Sequence, residues 1–250
     1  MCVRTAGYYS LNEWEEYSKL AATLDIARVY VAYYNNNAYG HFPTPVVTPQ
    51  GLALYQWGLI PPYIKTVAEA IQSQNSCVNA RSETMFSLPS FKNSLATGQR
   101  CLITVNGFYE NRHLSDKKKT KQPYYITLKE QPIYSIAGIY SKWVGPEGIE
   151  RNTFAMVTCP ANERMKFIHN GGDNPFRMPV ILPRENEQAW LNPNLTQAEI
   201  LELCAPFPQE KMNDWTVNSI INNNKADNNK AEAIKPYTPP PVAETGSLFG

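Results

Sequence analysis

Residues 100–110 read RCLITVNGFYE, a β-prone apolar run that meets Asn106-Gly107 and continues through Phe108 and Tyr109 to Glu110. Asn-Gly between two such segments predicts a tight hairpin, because both residues tolerate the positive φ that a type I′ turn needs. The turn would carry Glu110 beside bulky aromatics, where partial burial would suit its carboxyl to proton transfer. A carboxylate that simply faces water is the competing reading. Outward from this stretch the same texture recurs in VYVAYY, PVVTP, LALYQWGLI, PYYITL, IYSIAGIY, NTFAMVT and MPVIL, punctuated by proline, glycine and asparagine. Helix-like pieces fall at 11–24, 64–73, 162–168, 184–191 and 196–204. In the first of these Leu11, Trp14, Leu20, Ala21 and Leu24 lie near helical spacing behind an acidic first turn. This order predicts an α+β fold, a curved mixed or antiparallel β-sheet or open barrel with peripheral helices, rather than a βαβ series. A single domain is expected over 1–235. Residues 236–250, PYTPPPVAETGSLFG, read as a proline-rich disordered tail.

Composition narrows the setting. A formal net charge of +1 over 250 residues requires any nucleic-acid site to be local. Five cysteines (Cys2, Cys77, Cys101, Cys159, Cys204) without a CxxC pair argue against a disulfide framework or a zinc site, and no metal or other cofactor is expected. The N-terminus has no apolar signal core, and no stretch approaches the roughly 18 apolar residues that span a bilayer. A soluble cytoplasmic protein with no membrane partner is expected.

Several residues could carry chemistry. Cys2 follows the initiator methionine, so removal of Met1 would put an amine and a thiol on one terminal carbon. Their reference pKa values, about 7.7–8.0 and about 8.5, leave both partly available near neutrality, and the pair could capture an aldehyde or attack an acyl group. Asn79, Arg81 and Glu83 alternate in CVNARSET, so an extended backbone would turn all three to one face, either lining a cleft or facing water as an Arg81–Glu83 pair. His169 closes the helix-like ANERMKFIH. It is presented between ordered elements, whereas His113 lies in a charged loop and His41 in a turn, and it serves either as a helix cap or in catalysis. Trp57, with Tyr55 and Tyr63 nearby, is either core or a stacking platform for an unpaired base. Lys117, Lys118, Lys119 and Lys121 read as a solvated loop.

MCVR at the start, VNARSET, RCLITVNGFYE, VTCPAN, IH followed by RMPVIL, and a late segment with Val217 and Asn218 occur together and in order. That set closely resembles the SRAP family, the SOS-response-associated peptidases or abasic-site processing proteins, from Met1 to about residue 235. The resemblance implies that Met1 is removed and that Cys2 attacks the ring-opened aldehyde of an abasic site in single-stranded DNA. The amine would condense to an imine and the tethered thiol close a thiazolidine, leaving a covalent DNA–protein cross-link. It also implies that Asn79 positions the terminus, that Glu110 moves protons, and that His169 assists sugar ring opening. Arg4, Arg81 and Arg177 would hold phosphates, Trp57 would stack on a base, and Thr158 would line the lesion pocket. An autocatalytic peptidase step on Met1 and a lyase-like character follow from the same resemblance, as does a monomer acting at nucleoid DNA. The loop between His169 and Arg177, NGGDNPF, is longer than the one or few residues of many members, which could displace His169 or reshape the DNA channel. Two other readings stay open: an N-terminal-nucleophile cysteine amidohydrolase, and a non-catalytic single-stranded DNA-binding module for which Cys2 would not matter.

Overall fold

The stretch 100–110 is divided between two sheets, and the division occurs at Asn106. The computed structural model describes residues 2–114, 120–146 and 148–238; Met1, lysines 117–119 and positions 239–250 of the tail lie outside the described residues. In chain order the strands are β1 (Arg4–Gly7), β2 (Tyr33–Asn37), β3 (Pro43–Thr48), β4 (Gly51–Trp57), β5 (Asn79–Arg81), β6 (Arg100–Val105) and β7 (Gly107–His113). They continue with β8 (Lys121–Leu128), β9 (Tyr134–Val144), β10 (Glu150–Pro160), β11 (Arg177–Pro179), β12 (Ile181–Leu182) and β13 (Met212–Thr216). One sheet runs β13-β8-β7-β1-β2 and is antiparallel throughout. In the other, β10 pairs with β4 in parallel and with β9 antiparallel. The ring β10-β4-β3-β6-β9 is therefore closed, with β5, β11 and β12 at its margin. The α+β class stands, with a barrel and peripheral helices.

Asn106-Gly107 is not the expected hairpin. Neither residue has positive φ, and β6 pairs with β3 and β9 whereas β7 pairs with β1 and β8. Asn106 is a buried corner post: its Oδ1 accepts from the Tyr8 N–H at 2.7 Å and its Nδ2 donates to the Pro132 carbonyl at 2.7 Å. Gly107 is required by clearance, since a Cβ there would lie 2.4 Å from the Tyr125 ring. Both residues act through partners far along the chain, which a local turn signal does not register.

The helices cover the barrel. All six residues of β6 are buried, and the Trp190 indole seals the strand by donating to the Cys101 carbonyl at 3.0 Å. Helix Leu11–Ser18 starts on a Ser10/Glu13 capping box and buries Trp14, whose indole donates to Thr104 Oγ1 at 3.2 Å. It stops at Lys19, which adopts a left-handed conformation, and a second helix follows at Leu24–Val29. The expected 11–24 element is thus split, and the start of VYVAYY is helical. Helix Pro89–Ala96, with proline in its first turn, and strand β13 were not signalled by apolar periodicity. Among the described residues no helix is long and apolar enough to cross a membrane.

Past β13 the asparagine-rich segment docks on the antiparallel sheet. Asn229 Oδ1 accepts from the N–H groups of Tyr34 and Asn35, and Asn222 and Asn111 exchange side-chain amide bonds. Contact persists two residues beyond the expected boundary at 235, where the Tyr237 N–H donates to the Thr216 carbonyl at 2.8 Å.

Candidate active site

Cys2 lies at the entry to β1, beside β7, and is 1 % exposed. Its thiol points to the Arg4 carbonyl at 3.5 Å and the Tyr109 carbonyl at 3.9 Å. Burial, and then the nearby Glu110 charge, hold the thiol well above the ordinary cysteine value. It therefore rests as S–H. Asn79, the first residue of β5, donates from Nδ2 to the Cys2 carbonyl at 2.8 Å, fixing the main chain of the residue that would become the terminus. Its Oδ1 is buried and has no hydrogen-bond partner among the described residues.

Glu110 sits mid-strand in β7, opposite Tyr124. It is buried rather than solvent-facing, and its Oε1 likewise lacks a hydrogen-bond partner. Its Oε2 is 4.0 Å from His169 Nε2, beyond direct hydrogen-bond distance. His169 is the C-cap of helix Glu163–Ile168, with its N–H on the Met165 carbonyl at 2.7 Å. Its Nδ1 faces the Arg177 backbone, 3.2 Å from the N–H and 3.0 Å from the carbonyl oxygen, so either tautomer has a partner there. The long loop does not displace His169. Asn170 clamps the His113 backbone on β7 through both amide atoms, and the Phe176 N–H returns to the His169 carbonyl at 2.8 Å. Cys2, Asn79, Glu110 and His169, far apart in the chain, thus converge on one buried spot holding two unsatisfied acceptors, a thiol and an imidazole.

With that convergence on a closed barrel, comparison with known proteins is decisive: the family model for SOS response associated peptidase (SRAP) matches residues 1–224. The chain belongs to the SRAP family. It is similar to abasic site processing protein YoqW of Bacillus subtilis, 38 % identical over 187 residues that cover 74 % of this chain and 77 % of that one. Abasic site processing protein HMCES of Xenopus tropicalis is 28 % identical over 203 residues, covering 73 % of this chain and 56 % of its own. A crystal structure of a Bacteroides thetaiotaomicron protein superposes with a TM-score of 0.87 at 30 % identity, over 95 % of this chain and 100 % of that one.

The candidate DNA-contacting residues of this SRAP chain fall into two groups. Arg4 donates to Asn35 Oδ1 at 3.2 Å and to Asn224 Oδ1 at 2.5 Å, and Arg81 donates to Asn174 Oδ1. These partners are neutral amides, so the positive charges are not cancelled. Arg177 differs, because its guanidinium grips the Glu83 carboxylate through Nη1 at 2.6 Å and Nη2 at 2.7 Å and also donates to the Thr158 carbonyl at 2.8 Å. The Thr158 hydroxyl accepts from Arg177 and is buried. Both residues are held in that clamp in this structure. Trp57 takes the core alternative in this structure: it is 1 % exposed, stacks on Phe154 and donates to the Val78 carbonyl at 2.7 Å. Tyr63, six residues on, is the exposed aromatic of that segment.

β5 ends at Arg81 and a turn carries Glu83 onward to Arg177, so among the described residues the alternative of an Arg81–Glu83 pair is not the one found. Asn35, Asn174 and Asn224, which hold the arginines, carried no sequence signal because each acts across a long loop. Among the described residues no cluster of His, Cys, Asp and Glu could hold a metal ion.

The Glu83 clamp gives a stability prediction. The Arg177 guanidinium holds the Glu83 carboxyl below the ordinary range. Its contribution is therefore present above the unfolded-state value of about 4.3 and is lost as pH falls through the folded one. Glu83→Gln is expected to cost about 1 kcal/mol at pH 7, discounted for the half-exposed carboxylate, or roughly 2–4 °C in Tm, with the difference closing in acid. Paired melts at pH 7 and pH 3.5 check it; a deficit unchanged in acid would rule the ion pair out.

Proposed function

We propose that this protein processes abasic sites in single-stranded DNA by forming a covalent thiazolidine cross-link on Cys2 after Met1 is removed. The observation that carries the reading is the convergence of Cys2, Asn79, Glu110 and His169. The Cys2 amine would condense with the C1′ aldehyde of the ring-opened sugar, releasing water and leaving an imine. The thiol, resting as S–H, would then add across the C=N bond, sulfur to carbon and proton to nitrogen, closing a five-membered ring. Amine attack comes first because burial keeps the thiol from being a thiolate at rest.

Glu110 would shuttle protons between the attacking amine and the departing water, its partnerless Oε1 being an acceptor that the fold leaves open. His169 would donate to the sugar ring oxygen as the ring opens, and Asn79 would hold the terminus through its carbonyl. Arg4 and Arg81 would take the flanking phosphates, because a charged phosphate oxygen outcompetes a neutral amide for a guanidinium. Arg177 and Thr158 would act by positioning, since Arg177 spans the Glu83 clamp and the His169 ring. The same Glu110–His169 pair would support peptidase cleavage of Met1. A monomer acting on nucleoid DNA in the cytoplasm is part of the reading.

The test is to incubate demethionylated protein with single-stranded DNA carrying one abasic site, then run denaturing electrophoresis and intact mass measurement. A heat-stable adduct is expected whose mass is the sum of the partners minus one water. Absence of a shifted band would end the proposal.

A further inference from the structure

Phe176, at the end of the 170–176 loop, has φ = +59°. That left-handed conformation brings Cβ against the backbone, and a bulky aromatic residue rarely adopts it. Hydrogen bonds hold it from both sides: the Phe176 N–H donates to the His169 carbonyl at 2.8 Å, and its carbonyl accepts from the Ala161 N–H at 2.9 Å. Packing does not repay the strain, because Phe176 is 50 % exposed. The backbone thus fixes an aromatic side chain at the rim of the site, one residue before Arg177 and bonded directly to His169. Strain retained without compensating burial is characteristic of a functional position.

The same loop supplies Asn174, whose side-chain oxygen accepts from Arg81. An aromatic residue and a cation whose partner is neutral therefore stand on one short loop and the strand it covers. Single-stranded nucleic acid offers the matching chemistry, unpaired base faces for the ring and phosphates for the guanidinium. An abasic nucleotide adds a particular reason: its neighbours have each lost a stacking partner, so a flanking base has an open face.

We infer that Phe176 is the stacking platform for a nucleobase flanking the abasic site, with a phosphate of that strand displacing Asn174 from Arg81. The inference rests on the proposed action on abasic single-stranded DNA. It gives the 170–176 loop a role in seating the lesion, separate from the chemistry at Cys2.

The experiment uses single-stranded oligonucleotides with one abasic site and 2-aminopurine at either neighbouring position. Wild-type protein is expected to quench the fluorophore on one flank. Phe176→Ala should abolish that quenching and weaken binding by about 5- to 150-fold, the range for losing one base–aromatic stack. Cross-linking at saturating DNA should stay within a few-fold. Phe176→Leu, which keeps apolar bulk without a π face, should also lose the quenching. Phe176→Gly, which relieves the backbone, should melt no lower than wild type, showing that losses in the other variants are not misfolding. Equal affinity and quenching for wild type and Phe176→Ala would overturn the inference, as would a wild type that quenches neither flank. A wild type that forms no adduct with abasic DNA would instead overturn the underlying function.

Discussion

Cys2→Ala, with Met1 removed, is expected to form no heat-stable adduct with abasic single-stranded DNA, while binding that DNA reversibly within a few-fold of wild type. The variant keeps the α-amine, so imine formation survives; it lacks the sulfur that closes the ring, so every adduct hydrolyses on denaturation. Borohydride should therefore trap a secondary amine from Cys2→Ala that is absent without reductant. Retaining a residue ahead of Cys2 is the complementary change. It leaves the thiol in place but turns the amine into a peptide N–H, so neither the stable nor the trapped adduct should form. Gel shift and intact mass, with and without reductant, separate the two groups. An amidohydrolase would retain activity as Cys2→Ser, whose hydroxyl remains a weak nucleophile but cannot make the thiazolidine. A simple binding module would not respond to Cys2 at all. A heat-stable adduct on Cys2→Ala would show that another residue captures the aldehyde.

The four converging residues were legible for different reasons. Glu110 lies in a segment with strong β patterning, Asn79 was marked only by the polar alternation of CVNARSET, and His169 stands where a helical pattern gives way to a strand. Cys2 was legible only through its position in the chain. What remained hidden was long-range. Glu83 grips Arg177 across 94 residues of sequence and Arg4 meets Asn224 across 220. No local pattern distinguishes such an arginine from one that waits for a phosphate. Trp57 shows the same limit, since an aromatic between a strand and a glycine–proline loop reads alike whether it faces solvent or, as here, Phe154. The Asn106-Gly107 pair shows how a correct local signal can serve another purpose, with turn-forming residues chosen to cross between sheets beneath Tyr125. The asparagine-rich segment past residue 222 was the least legible, because polar composition alone does not reveal that its amides cap Arg4 and two backbone N–H groups of β2.

Glu110→Gln should slow cross-linking by about 10²- to 10⁴-fold, the usual contribution of a positioned proton-transfer group, without weakening DNA binding. Glutamine keeps the shape of the side chain but cannot take a proton from the attacking amine or return one to the departing hydroxyl. The Cys2 thiol supplies an internal control of opposite sign. Glu110 is the second cause, after burial, of the raised thiol pKa, so removing its charge must lower that pKa and increase the thiolate fraction. Alkylation of Cys2, followed by peptide mass, should accordingly become faster in the variant while cross-linking becomes slower. Stability offers a third reading, because Glu110 is buried with Oε1 unpartnered and its Oε2 beyond hydrogen-bond distance of His169. Replacing an underpaired buried charge by a neutral amide should leave Tm unchanged or raise it, as happens where a fold gives up stability for a reactive group. A purely structural Glu110 would give the reverse set: a lower Tm, and a cross-linking rate that falls only as far as the folded fraction does. Faster alkylation, slower cross-linking and an undiminished Tm can occur together only if the carboxylate handles protons for a thiol and an amine that share its buried site.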